Sequence, residues 1–295
     1  MDSTTTENLS KNFTSSMSEL TLSIIILNYN AKSLLRLCLK NLLSLNLPFG
    51  FEIIVVDNAS RDGSVDWLRQ HYPAEKFSKI KSIFNKKNYG YAKGNNIGIA
   101  AAQGKYLLVL NYDVIFSSAA EISNCIDYLE KHPEVGMLGP KLLNADGTVQ
   151  HSCYRPYTTL TPLYRRTPIG KLPWAQADLA RHLMFDYDHA DTRPVDWLMS
   201  SCVFIPKQVI QHIGAFDERF FLYFSDFDLC DRLSLHGWQI IYFTGASAIH
   251  YHRRASAPGS HWGGLTSLFN YTTRVHVKDW IQYLKKQYVN KHASS

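Results

Sequence analysis

The sequence predicts an α/β fold, with a mostly parallel central sheet flanked by helices. Three observations predict it. Short apolar runs alternate with helix-like segments through the first half of the chain. Runs such as Leu107-Leu108-Val109-Leu110 show no polar alternation, which suits strands covered on both faces. Three of the runs lead into a polar residue of ligand type: Asn28, Asp57 and Asp113. Strands separated by helices pair in parallel through right-handed crossovers. Their ends therefore share one edge of the sheet, where open α/β sheets hold ligands.

The elements follow in order. Residues 1–19 hold nine Ser or Thr and no apolar core of a leader, so they read as a disordered polar tail and not as a secretory signal. Residues 22–27 form a strand that ends on Asn28-Tyr29-Asn30. In 31–45, Leu34, Leu35, Cys38, Leu42 and Leu45 recur at helical spacing. Residues 51–56 give a second strand, ending in Asp57, and 63–72 a short helix stopped by Pro73. A strand over 80–84, a helix over 91–102 closed by Gly104, and a strand over 106–110 complete this half. Beyond it, 122–129 read as helix and 135–138 as strand. Residues 144–194 are rich in Pro, Tyr, Arg and Asp without periodicity, the pattern of a long mobile substrate loop. Residues 202–205 read as strand and 207–212 as helix. Helix 226–235 is closed by Gly237, and a final strand over 239–243 leads towards His250.

Composition narrows the class. No apolar run approaches the ~20 residues that span a bilayer. Five cysteines lie scattered without CxxC spacing, which predicts reduced core thiols and a cytoplasmic location, not a disulfide framework or zinc site. The net charge is +6, and from His250 onward seven Lys or Arg face one acid, Asp279. The remainder is balanced at 24 of each sign, so the whole excess lies in the C-terminal segment. There it mixes with Trp262, Phe269, Tyr271, Trp280, Tyr283 and Tyr288, and 265–288 read as helix. Basic and aromatic residues together suit an anionic membrane surface or a diphosphate ligand; a helix packed on the body with a solvated basic face explains them equally.

Four constellations carry chemistry. Asp57 ends a strand before the polar turn Asn58-Ala59-Ser60-Arg61-Asp62-Gly63, where a carboxylate can accept the imide N–H of a uracil or thymine base. Asn88-Tyr89-Gly90 opens a stretch whose glycines, Gly90, Gly94 and Gly98, fall at GxxxGxxxG spacing. That spacing favours close helix packing over a dinucleotide loop. Asp226 and Asp228 stand at a helix start among Phe and Tyr. They read either as caps favoured by the helix dipole or as a general base whose pKa an apolar surround raises. Asp113 and His250 form an Asp/His set for Mn²⁺ or Mg²⁺, although Asp113 alone could also be a helix cap.

Taken together, Ser23-Ile24-Ile25-Ile26-Leu27-Asn28-Tyr29-Asn30, Val55-Val56-Asp57-Asn58-Ala59-Ser60, Asn88-Tyr89-Gly90, Leu110-Asn111-Tyr112-Asp113, Asp196-Trp197, Gly214-Ala215-Phe216-Asp217-Glu218, the Asp226/Asp228 motif and His250 resemble a known family. It is the inverting family 2 glycosyltransferases of the GT-A fold, a Rossmann-like sheet, and above all their bacterial rhamnosyltransferase-like branch. The resemblance runs from about residue 21 to 255. It implies one catalytic domain over 20–255, with a nucleotide-binding half (20–115) and an acceptor and catalytic half (116–255), followed by a basic aromatic extension (256–295). It places Asn28, Tyr29, Asn30, Asp57, Asn58, Asn88, Gly90, Asn96, Asn111 and Tyr112 around the donor nucleotide. Asp113 and His250 become metal ligands, Asp226 the catalytic base with Asp228 beside it, and Trp197, Ser200 and Asp217 the border of the acceptor pocket. The implied donor is dTDP-rhamnose, with a UDP-hexose next. The implied acceptor is a glycan or lipid-linked glycan, and no nucleic acid is involved; peripheral contact with the inner face of the membrane is one of the readings left open by the basic aromatic tail. Three positions depart from the family pattern. Asn111 replaces the first carboxylate of the metal motif, Ser225 stands where Glu is usual, and Ser200 where Gly is common. An inactive nucleotide-sugar-binding protein is the alternative. A nucleotidylyltransferase would want a Gly-rich basic loop after the first strand, and Asn28-Tyr29-Asn30-Ala31-Lys32 is not one.

Overall fold

The computed structural model describes residues 20–165, 167–251 and 271–293. The apolar runs become the strands of a sheet. In the first half these are β1 (Leu22–Asn28), β2 (Phe51–Asp57), β3 (Ile80–Phe84) and β4 (Tyr106–Asn111), with helices α1 (Lys32–Ser44), α2 (Ser64–His71) and α3 (Gly90–Ala101) between them. Then come β5 (Val114–Ile115), α4 (Ala119–Lys131), β6 (Val135–Leu143), β7 (Cys153–Tyr154), α5 (Thr161–Tyr164), α6 (Pro173–His182), β8 (Arg193–Pro194) and β9 (Trp197–Leu198). The chain continues through β10 (Cys202–Pro206), α7 (Lys207–Ile213), α8 (Ser225–Leu235), β11 (Gln239–His250) and α9 (Tyr271–Ala293).

The main sheet runs β3-β2-β1-β4-β10-β6-β11-β5, with β8 also paired to β11. Strands β1 to β4 are parallel, β10 enters antiparallel to β4, and β6 and β11 are parallel to each other. Register aligns Asn28 with Asp57 and Leu27 with Asn111, so the polar strand ends do lie along one edge.

Each face of the sheet carries its own core layer. On one, α1 presents Leu35, Cys38, Leu39 and Leu42, one helical stripe, beside Trp67 and Leu68 of α2 and Ile122, Cys125, Ile126 and Leu129 of α4. On the other, α3, α7 and α8 pack over Ile25, Val109 and Val203. The spaced glycines of α3 allow this contact: a Cβ on Gly94 would meet Leu27 Cδ1 at 2.5 Å, and one on Gly98 would meet Ile25 Cγ2 at 2.5 Å. All five cysteines are free and buried.

Two expectations are corrected. Residues 144–194 are not a structureless loop: they hold β7, α5, a 3-10 turn (Pro168–Lys171), α6 and β8. Cys153, Tyr154, Met184 and Tyr187 anchor them in the second core layer. These elements are two to ten residues long, too short to show a period. The last strand, expected over 239–243, continues to His250 through an irregularity between Phe243 and Ser247 that breaks its apolar pattern. No described helix is long and apolar enough to cross a membrane. The tail 1–19, and within the extension Trp262 and Phe269, fall outside the described residues. Of the expected helix 265–288, the described part starts at Tyr271.

Candidate active site

At the strand ends of β1 and β2, Asn28 and Asp57 are fully buried. Asn28 Nδ2 donates to Asp57 Oδ2 at 2.7 Å and to Ser60 Oγ at 3.1 Å, while the Ser60 N–H donates to Asp57 Oδ1 at 2.8 Å. The pair therefore holds the turn behind the sheet edge. Tyr29, 46% exposed, and Asn30 project in front of it. Asn58 knits the next loop: its Oδ1 accepts from Asn85 Nδ2 and the Tyr89 N–H, and its Nδ2 donates to Asn88 Oδ1 and the Gly90 carbonyl. Gly90 sits at φ +84, where a Cβ would lie 2.3 Å from the Phe221 carbonyl oxygen, so this position admits only glycine without a shift of backbone.

After β4 the chain turns through Tyr112 and Asp113 into β5, which pairs Val114 with His250 of β11. That pairing, with the Tyr251 N–H donating to the Asp113 carbonyl at 2.8 Å, brings residues 137 positions apart in sequence together. His250 Nε2 lies 3.3 Å from Asp113 Oδ1. His250 Nδ1 lies 2.6 Å from Gln150 Oε1, an acceptor, so the ring proton belongs on Nδ1. Nε2 is the ring nitrogen that faces Asp113. Asp113 Oδ1 is itself buried and accepts no hydrogen bond among the described residues. A carboxylate oxygen and an imidazole nitrogen side by side are donor types that a divalent cation takes, and the hydrogen bond on the far ring nitrogen is the usual support of a metal-ligating His. No cluster of three or more His, Cys, Asp or Glu stands ready for a metal among the described residues. A cation here would need phosphate oxygens or water to complete its shell, as Mg²⁺ commonly does.

Asp226 occupies the first turn of α8 and is partly buried. Burial raises its carboxyl to about 6, against the pull of hydrogen bonds from the Phe227 and Ser200 N–H groups and the nearby Arg165 charge. The residue before the helix, Phe224, is held at φ +65, a rarely used region for such a side chain. Tyr91 lies within reach of the charge of both acids. Its hydroxyl donates to the Ser200 carbonyl at 2.8 Å, and burial raises its pKa, helped by the charges of Asp226 and Asp113. Next to Ser200, the Ser201 carbonyl accepts from the Asn111 N–H at 2.8 Å, and Ser201 Oγ from Asn111 Nδ2 at 3.2 Å. Asn111, Tyr112, Asp113, His250, Ser200 and Asp226 are thus drawn into one region, with Tyr91, Gln150 and Ser201 added by the structure.

Other expected site residues serve as struts. Asn96 exchanges two hydrogen bonds with the backbone of Phe216, at 2.8 and 3.0 Å. Trp197 is buried in an aromatic stack with Tyr154, Tyr157 and His182, and packs edge-on against Phe227, the residue after Asp226. Asp228 is buried between Arg232, at 3.0 Å, and Lys286. Asp217 is partly buried, yet Arg219 and Lys286 outweigh that burial and hold its carboxyl well below the usual carboxylate range. Lys286 belongs to α9, so the C-terminal helix packs against the segment that carries Asp217 and Asp228, the packed placement that the sequence left open beside a membrane-facing one. A separate cavity of about 340 Å³, lined by Gly104, Tyr106, Glu130 and Lys207, lies at the opposite edge of the sheet and contains none of these groups.

Comparison with known proteins bears on the family and the fold. The family model described as glycosyl transferase family 2 matches residues 23–183. The N-acetylglucosaminyl-diphospho-decaprenol L-rhamnosyltransferase of Mycobacterium tuberculosis is 28% identical over 240 residues, covering 74% of this chain and 73% of its own. Rhamnosyltransferase WbbL of Escherichia coli is 25% identical over 210 residues, 68% of this chain and 71% of its own. Among solved structures, the mannosyltransferase PcManGT from Pyrobaculum calidifontis, in complex with GDP-Man and Mn²⁺, superposes with a TM-score of 0.54 at 16% identity over 81% of this chain. GalNAc-T7 with UDP, GalNAc and Mn²⁺ superposes with a TM-score of 0.61 at 14% identity over 86% of this chain. This chain spans 59% and 47% of those two structures, and at such identities the likeness shows the GT-A fold alone.

Proposed function

The chain belongs to glycosyl transferase family 2, and from that premise we propose that it moves a sugar from a nucleoside diphosphate sugar to an acceptor hydroxyl, with inversion at the anomeric carbon. The observation that carries the reading is Asp226. It is a partly buried carboxylate raised to about 6, linked through Ser200 and Tyr91 to the region of Asp113 and His250. At neutral pH this group is mostly ionised yet more basic than an ordinary Asp, which suits a general base. Asp226 takes the proton of the acceptor hydroxyl. The acceptor oxygen attacks the anomeric carbon from the face opposite the diphosphate, and the bond to the diphosphate oxygen breaks in the same displacement. Asp113 and His250 are the residues that would hold Mn²⁺ or Mg²⁺, which supplies positive charge to the departing diphosphate. Tyr29, Asn30 and Asn88 line the nucleotide side, with Asn28, Asp57 and Asn58 fixing their backbone from behind.

The donor we propose is dTDP-rhamnose, with a UDP-hexose second, in keeping with the two rhamnosyltransferase relatives. The acceptor is a glycan on a lipid diphosphate carrier, as the mycobacterial relative's name describes for that protein. The exposed side of α9 supports peripheral contact with the anionic surface that carries such an acceptor: Arg274, Lys278 and Lys285 flank the exposed Ile281. A thermal-shift series with dTDP, UDP and GDP, each with and without Mn²⁺, tests the donor reading. A ligand that binds the folded state raises the melting temperature. The expected result is a rise with dTDP or UDP that grows with Mn²⁺. No rise with any nucleoside diphosphate would overturn it.

A further inference from the structure

We propose that Asp279, on α9 and outside the segment that carries the family motifs, is a positioning residue for the reaction. It fixes the backbone of residues 221–223 and thereby the placement of Asp226. The inference rests on Asp226 acting as the base. Asp279 is fully buried, and it is the only acid in the basic stretch from His250 to the end of the chain. Its two oxygens accept three successive backbone N–H groups: Oδ1 from Phe221 at 3.2 Å, and Oδ2 from Leu222 and Tyr223 at 2.9 Å each. Hydrogen bonds to an ionised acceptor are the strong, geometry-fixing kind. The three amides lead directly into Phe224 at φ +65, then Ser225 and Asp226. A phenylalanine stays in that conformation only where its surroundings impose it.

The surroundings here come from two sides. From α3, the Tyr91 N–H donates to the Phe221 carbonyl at 2.5 Å, a close approach that Gly90 permits. From α9, Asp279 holds the amides, while the Phe224 ring packs on His276 at 5.3 Å and stacks on Tyr283 at 5.6 Å. Farther along α9, the Tyr283 hydroxyl donates to Asp231 at 2.9 Å, and Lys286 pairs with Asp217 at 2.9 Å and with Asp228. These inward contacts of α9 all fall on residues 217–231, the segment that presents the base. A helix docked only for stability would not need to place its buried charge on the three amides next to the strained residue.

The test uses the full chain and the variant Asp279→Asn, which keeps size and one acceptor oxygen but turns an N–H₂ towards the amides. Two measurements separate positioning from simple folding. Amide hydrogen exchange at residues 221–223 should quicken at least tenfold in the variant, while β1 and β4 keep their protection. In the transfer assay, kcat should fall 10- to 100-fold while donor KM changes less than twofold. Asp279→Ala should show the same split with a lower melting temperature. Unchanged exchange at 221–223 in folded Asp279→Asn overturns the clamp, and unchanged kcat alongside faster exchange overturns its catalytic role. A wild-type protein that transfers no sugar from any nucleotide donor sinks the proposed function instead, with the clamp still decided by the exchange measurement.

Discussion

Replacing Asp226 by Asn should improve stability relative to wild type as pH rises from 4 to 8, while it disables transfer. Burial favours the neutral carboxyl, so folding raises its pKa from 3.8 to about 6. The sign follows from linkage: the group's contribution to stability is complete below pH 3.8, declines as pH rises towards about 6, and is a constant deficit above that. The gap corresponds to roughly 3 kcal/mol. Asn does not ionise and carries no such deficit. Any loss from its weaker acceptance of the Phe227 and Ser200 amides is independent of pH, and cancels when two pH values are compared. The variant's stability relative to wild type should therefore improve by up to about 3 kcal/mol between pH 4 and pH 8, a relative rise in melting temperature on the order of 5 °C. Thermal unfolding of both proteins at the two pH values reads this directly. Transfer by the variant should slow by about 10²–10⁴-fold, and wild-type kcat should climb with pH through about 6. The same difference in melting temperature at both pH values would refute the reasoning, because Asp226 would then carry no cost of buried charge.

Three further outcomes are expected. Asp113→Ala should remove the Mn²⁺ dependence of nucleoside diphosphate affinity, measured by calorimetry, and leave the melting temperature of the free protein nearly unchanged. Asp228→Asn should destabilise the fold by about 3 kcal/mol, since it replaces the buried carboxylate that pairs with the partly buried Lys286 and Arg232; a folded variant with base-like loss of kcat alone would reassign the base to Asp228. Changing Arg274, Lys278 and Lys285 together to Glu should abolish salt-sensitive pelleting with anionic vesicles, each basic residue contributing about 1 kcal/mol, and equal pelleting would leave that side of α9 as solvated surface.

The half of the fold built from long runs was legible in the sequence. β1 to β4 and the helices between them need only burial on two faces and a 3.6-residue stripe, and both are local patterns. The glycine spacing in α3 likewise announced a close packing, and the structure supplies β1 as its partner. The region 144–194 was not legible. Its elements are short, and Tyr154, Tyr157, His182 and Trp197 bury as an aromatic stack that has no period along the chain. The site was legible as residue types at strand ends and not as contacts. Asp113 and Asp226 stood out, but nothing local showed that Gln150 would orient His250 or that the Tyr91 hydroxyl would reach Ser200. Lys286 and Asp279 were read as part of a basic tail. Their partners lie 56 to 69 positions earlier in sequence, beyond the reach of any local pattern.

The stereochemistry of the product tests the central claim most directly. The full chain is incubated with dTDP-rhamnose, or with the UDP-hexose that the thermal-shift series selects, and a lipid diphosphate-linked glycan acceptor. The anomeric configuration of the new linkage is then read by NMR, with Asp226→Asn run in parallel. A single displacement driven by Asp226 predicts inversion relative to the donor in the wild type and almost no product from the variant. Retained configuration, or equal product from the variant, would contradict it.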